Sequence, residues 1–255
     1  METIALLALA FLLSGGELNK AAAEYTPSNS EASQEVYNPS ATRISDIVHT
    51  DLAVSFDWEN QHLHGKADIT AKPYFCATNE LILDAKGFDI HAVNMGEQAL
   101  SYSYEDDKLS IQLDKTYTRT ESYTISIDYT AKPNELDAEG GAAITDAKGL
   151  YFINPLGEED KPQQIWTQGE TEYSSCWFPT IDKPNERMTQ NIAITVQDKY
   201  TTLSNGLLVK SEQNKDGTRT DYWEQSLGHT PYLAMMAVGE FNITTDKWRG
   251  IDVDY

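Results

Sequence analysis

The chain has 255 residues and carries 40 acidic against 19 basic side chains, a formal net charge of −21. A surface this acidic repels phosphate backbones and anionic lipid, which argues against nucleic acid as a partner and against stable membrane insertion of the mature domain. The two cysteines, Cys76 and Cys176, lie far apart with no histidine at metal spacing, so two free thiols are favoured over a disulfide.

Residues 1–15 contain the apolar run Ile4–Leu13, too short to cross a bilayer comfortably but suited to the hydrophobic part of an export signal. Met1-Glu2-Thr3 is negative where such signals carry Lys or Arg, and Gly16 stands where a lipoprotein's cysteine would be, so lipid cannot be attached there. An apolar helix at the start of a cytosolic protein is the competing reading. Residues 16–45 are rich in Ala, Ser, Asn, Glu and Pro and poor in large aliphatics, the composition of a flexible tether. The expected location is outside the cytoplasm: periplasmic, envelope-associated or extracellular.

From residue 46 to about 250 the pattern is that of strands. Leu52, Val54, Phe56 and Trp58 alternate with Ala53, Ser55 and Asp57, and short alternating or β-branched runs follow at 65–71, 80–83, 88–93, 100–104, 108–113 and 122–129. Residues 133–149, with three glycines and several acids, read as an exposed loop. Strands resume at 188–197, 201–210 and 218–225, with Asn214-Lys215-Asp216-Gly217 as a hairpin turn and Ser204-Asn205-Gly206 as a second turn. A last apolar run, Tyr232 to Val238, precedes Phe241 and Trp248. No stretch in the first half shows helical periodicity, so the expected fold is all-β, a large antiparallel β-sandwich with minor helix. Residues 251–255 read as the beginning of a further segment, which suggests a fragment.

Between these groups of strands, Ile165-Trp166-Thr167-Gln168-Gly169-Glu170 runs on to Phe178-Pro179-Thr180-Ile181-Asp182-Lys183-Pro184 without a clean period. Such a run reads as a shaped loop, where binding residues concentrate, and Gln168 and Glu170 are its candidates. Glu170 could instead cap a backbone or pair with Arg187. Of the five histidines, His62 and His64 alone have chelating spacing, both rings on one face of a strand, and a solvated hairpin edge is the simpler account of them. No catalytic residue and no metal-ligand set is identified, and a Gly-x-Ser-x-Gly elbow is missing.

Several short motifs together resemble the N-terminal β domain of the aminopeptidase N family of zinc metallopeptidases. They are Leu83-Asp84-Ala85-Lys86, Asp107-Lys108-Leu109-Ser110-Ile111, Gly149-Leu150-Tyr151, Thr167-Gln168-Gly169-Glu170, Phe178-Pro179 with Asp182 and Pro184, Ser204-Asn205-Gly206, and Tyr232-Leu233 through Val238-Gly239-Glu240-Phe241. The resemblance implies a saddle of antiparallel sheets set against a C-terminal thermolysin-like catalytic domain that this chain lacks. It implies zinc in the full-length enzyme, Gln168 lining the pocket for the first side chain of a peptide, and Glu170 binding its free α-ammonium group. The sequence departs from the family at Ser175, where many members have Arg, and at Thr180, where they have Cys; it contains neither His-Glu-x-x-His nor Gly-x-Met-Glu-Asn. The expected function is substrate clamping for removal of single N-terminal residues, with no activity by this chain alone. The alternative is an exported, non-catalytic β-sandwich binding or adhesion module.

Overall fold

The structure is a computed structural model that describes Ser40, residues 42–136 and residues 147–254. The run Ile4–Leu13, nearly all of the expected tether and residues 137–146 of the acidic loop lie outside these. The chain divides into two units, residues 1–40 and 41–255, and the second is described here.

Seventeen strands occur among the described residues: β1 (Ser45–Asp57), β2 (His62–Pro73), β3 (Thr78–Asp84), β4 (Phe88–Met95), β5 (Gln98–Ala99), β6 (Tyr102–Glu105), β7 (Lys108–Tyr117), β8 (Tyr123–Ala131), β9 (Leu150–Ile153), β10 (Gln164–Thr167), β11 (Met188–Gln197), β12 (Thr201–Ser204), β13 (Leu207–Gln213), β14 (Thr218–His229), β15 (Met236–Gly239), β16 (Thr245–Trp248) and β17 (Ile251–Asp254). Among the described residues helix is confined to three 3-10 turns, Pro133–Glu135, Ser174–Cys176 and Pro231–Leu233. The all-β expectation with minor helix therefore holds.

The strands form an eight-stranded sheet in the order β13-β14-β11-β1-β2-β8-β4-β5, a four-stranded sheet β12-β15-β10-β9, a three-stranded sheet β3-β7-β6 and the hairpin β16-β17. One pairing departs from the antiparallel expectation: β1 runs parallel to β11, with Leu52 beside Ile192 and Val54 beside Ile194. Leu52, Val54, Ile192 and Ile194 are buried on one face, beside the buried pair Thr50 and Gln190, so burial sets a register that no hairpin turn could set across so long a stretch of chain. The alternating residues Leu63, Ala67, Ile69 and Ala71 of β2 and Ile125, Ile127, Tyr129 and Ala131 of β8 continue the same buried face. Trp177 and Phe178 complete the core, and the Tyr129 hydroxyl donates to the Trp177 carbonyl at 2.9 Å.

Three further differences concern local structure. Ile165–Thr167, read from sequence as loop, belongs to strand β10, because Ile165 is buried between the partners supplied by β9 and β15. Strand β16 has four exposed residues and offers no alternation to read, yet it pairs along its length with β17, so the segment expected to start at Ile251 is half of a hairpin. At the other end, Arg43 and Ser45, placed in the tether by composition, are fixed: Ser45 opens β1, and Arg43 meets the buried Glu186 carboxylate at 3.2 Å.

Candidate functional site

Strand β10 lies between β15 and β9 and delivers the chain to Gln168. Its anchoring can be followed residue by residue. Ile165 is buried; Trp166 stacks on Tyr151 with ring centres 4.4 Å apart; and the Thr167 hydroxyl oxygen accepts the Met236 N–H at 3.0 Å. The Gln168 N–H donates to the Gly149 carbonyl at 2.9 Å, extending the β9–β10 ladder by one step. Gly149 has φ +70°, and a Cβ there would come within 2.1 Å of the Tyr173 carbonyl oxygen, so both conformation and space require glycine.

Gly169 is held as tightly. A Cβ on it would lie 2.5 Å from the Tyr232 carbonyl oxygen and 2.5 Å from Ser174 Oγ. Its carbonyl accepts the Tyr173 N–H at 2.9 Å, and the buried Ser174 hydroxyl donates to the Pro231 carbonyl at 2.8 Å. The peptide bond between Glu170 and Thr171 is cis. The family motifs at 149–151, 167–170 and 232 thus meet at one loop. Gln168 is half-buried and Glu170 exposed, and neither side chain has a hydrogen-bond or ionic partner among the described residues. A pairing of Glu170 with Arg187 is not formed.

The continuation from Glu172 to Glu186 uses its carboxylates differently. Lys86 Nζ donates to the Glu172 carbonyl at 2.6 Å, and Lys183 Nζ to the Glu172 carboxylate at 2.5 Å. Asp84 exchanges backbone hydrogen bonds with Thr180, its carboxylate accepts the Asp182 N–H at 2.8 Å, and it pairs with Lys108. Asp182 in turn accepts the Ser175 N–H at 2.8 Å. Burial pushes the Asp182 carboxyl up to about 6, opposed by that N–H, and burial pushes the Cys176 thiol up to about 12. Cys176 is buried and Cys76 exposed, both as free thiols. From sequence, Asp84, Lys86 and Lys108 were marks of resemblance without a role; their motifs, Leu83-Asp84-Ala85-Lys86 and Asp107-Lys108-Leu109, were the available signal for this polar hub.

His62 and His64 do not act together. His62 Nε2 lies 3.0 Å from Glu135 Oε1, and His64 turns to Thr130. Among the described residues no three His, Cys, Asp or Glu side chains are grouped to hold a metal ion. A catalytic zinc takes about three protein ligands with an open fourth position, so the residues described here do not fit it.

Residues 46–233 match the Peptidase M1 N-terminal domain family. Among curated proteins, aminopeptidase N of Lactobacillus helveticus is 26% identical over 200 residues, covering 77% of this chain and 21% of that protein. The puromycin-sensitive aminopeptidase of Caenorhabditis elegans is 26% identical over 202 residues, covering 74% and 20%. Transcription initiation factor TFIID subunit 2 of Schizosaccharomyces pombe is 23% identical over 180 residues, covering 61% and 15%. Among solved structures, the M1 zinc metallopeptidase of Deinococcus radiodurans superposes with a TM-score of 0.69 at 18% identity, covering 83% of this chain and 46% of that one, a likeness of fold. The chain therefore spans about a fifth or less of these curated relatives and under half of the solved structure.

Proposed function

Since this chain belongs to the Peptidase M1 N-terminal domain family, we propose that it supplies the substrate clamp of a zinc-dependent aminopeptidase, with Glu170 holding the free α-ammonium group of a peptide and Gln168 lining the pocket for its first side chain. The observation that carries this reading is the contrast within the loop: the backbone of Gln168 and Gly169 is pinned, while the side chains of Gln168 and Glu170 are left unpaired among the described residues. A carboxylate about 4 Å from an ammonium group at a protein surface gains about 4 kcal/mol before desolvation is counted. An internal residue of a peptide carries no ammonium group and forgoes that interaction, which is how such a clamp selects chain ends. Zinc belongs to the full-length relatives and would come with the catalytic domain; the part assigned to this chain is binding and orientation.

Two experiments test the assignment. In the full-length enzyme, Glu170→Ala should weaken binding of free N-termini by about 1–3 kcal/mol, the usual cost of a charged hydrogen bond; unchanged kinetics would reduce Glu170 to an ordinary surface acid. The purified chain, given zinc and an aminoacyl chromogenic substrate, should show no turnover, and chelator-sensitive turnover would sink the idea of a clamp without catalysis. We place the protein outside the cytoplasm from the run Ile4–Leu13, to be checked by N-terminal sequencing of the exported form.

A second reading, a non-catalytic binding module, is favoured by two observations. The same domain matches proteins named as TFIID subunits rather than peptidases, and the edge strand β13 exposes Leu207, Leu208 and Val209 in succession. A downstream reading frame with Gly-x-Met-Glu-Asn and His-Glu-x-x-His supports the peptidase; a stop codon supports the module.

A further inference from the structure

Two histidines lie apart from the recognition loop, on the face of the eight-stranded sheet opposite the buried Leu63 and Tyr129. His64 on β2 and His91 on β4 flank β8 from its two sides and reach the same atom: His64 Nδ1 lies 3.1 Å, and His91 Nε2 2.9 Å, from Thr130 Oγ1. The register explains how. His64 is directly opposite Thr130, whereas His91 is the extra residue in a bulge between Ile90 and Ala92, and the bulge turns its side chain toward β8. Thr130 is only 7% exposed, while His64 and His91 are both exposed, so the two rings roof the hydroxyl.

A hydroxyl has one proton, so it donates to one of these nitrogens and accepts an N–H from the other. The arrangement has a second use. Both nitrogens converge on Thr130 Oγ1 at hydrogen-bond distance, so a rotation of the two exposed rings would bring both within the metal–nitrogen bond length of about 2.0–2.1 Å of one ion. Imidazole donors suit nickel, copper and zinc, whereas magnesium and calcium take oxygen. The open groove beside the pair, about 410 Å³, is lined by Ser55, Lys66, Asp128 and Thr195 and has room for waters to complete a coordination shell.

We propose that His64 and His91, with the Thr130 hydroxyl between them, form a surface site for one divalent transition-metal ion of the nickel–copper–zinc class. The site is carried by β2, β4 and β8 of the eight-stranded sheet, whereas the recognition loop follows β10 of the four-stranded sheet, so the proposal does not rest on the clamp. The sequence motif His62-x-His64 is split by the fold: His62 faces Glu135, and the ligand partner of His64 comes from another strand.

The test is calorimetric titration of the untagged chain with NiCl2 and with ZnCl2, with MgCl2 as the hard-cation control. One ion per chain is expected to bind, His64→Ala and His91→Ala are each expected to weaken it at least tenfold, and His62→Ala is expected to leave it unchanged. The exposed positions of both ligands keep the variants folded, which far-UV circular dichroism verifies. The site is overturned if the His64→Ala/His91→Ala double variant binds as tightly as wild type, if His62→Ala costs as much as His64→Ala, or if magnesium competes equally.

Discussion

Two adjoining parts of one loop make opposite use of polar residues. From Glu172 to Glu186, carboxylates and backbone amides are tied to Asp84, Lys86, Arg43 or one another, mostly out of water. At Gln168 and Gly169 the backbone is as firmly held, yet the side chains of Gln168 and Glu170 are unpaired among the described residues. The difference separates structural polarity from polarity held in reserve for a ligand. A buried carboxyl without partners would be costly, so those of the hub are satisfied from within; an exposed one can wait for a partner from outside.

This contrast predicts a descending series of effects. Asp84→Ala should be the most damaging, since it strips the buried Asp182 N–H of its acceptor and Lys108 of its partner. A loss of about 3 kcal/mol is expected from urea unfolding; a loss under about 1 kcal/mol would mean that the hub is dispensable. Gly169→Ala should cost about 2 kcal/mol, because the new methyl group must displace the Tyr232 backbone.

Next comes a pH effect at Glu186, buried beside Arg43 and the Ile47 N–H, with burial pushing its carboxyl up to about 7 against an ordinary 4.5. Between those values the folded state keeps a proton that the unfolded chain has released. The group's stabilising contribution is thus complete below pH 4.5 and is lost as pH rises through about 7. The wild-type Tm relative to that of Glu186→Gln should therefore fall from pH 5 to pH 7.5, and parallel curves would contradict it. Smallest of all, Glu170→Ala should change stability by less than about 0.5 kcal/mol, and a larger loss would move Glu170 from the reserve into the framework.

Much of the large sheet was legible because its strands alternate: β1, β2, β8 and β11 show period two in their own residues, and their inward positions are those the pattern marks. What escaped depended on partners distant in sequence. The pairing of β1 with β11 joins residues some 140 positions apart, which no local signal encodes. Strand β10 was hidden because its four residues include only one fully buried side chain, and β16 because it has none. For the loop, residue types pointed to Gln168 and Glu170, but the tightness around Gly169 comes from Tyr232 and Pro231, and the hub from Asp84; neither could be read from the loop itself.

The parallel pairing also constrains how the molecule is made. Strand β1 leaves the ribosome first, pairs at once with β2, and then keeps one edge open until β11, residues 188–197, has been synthesised. At about 5–20 residues per second, that wait is on the order of ten seconds, during which the edge of β1 that β11 will cover has no partner. Truncation before residue 188 would therefore leave β1 as an open edge of the sheet β1-β2-β8-β4-β5, prone to pair with another chain, and slowing translation across residues 130–190 should lower the soluble yield.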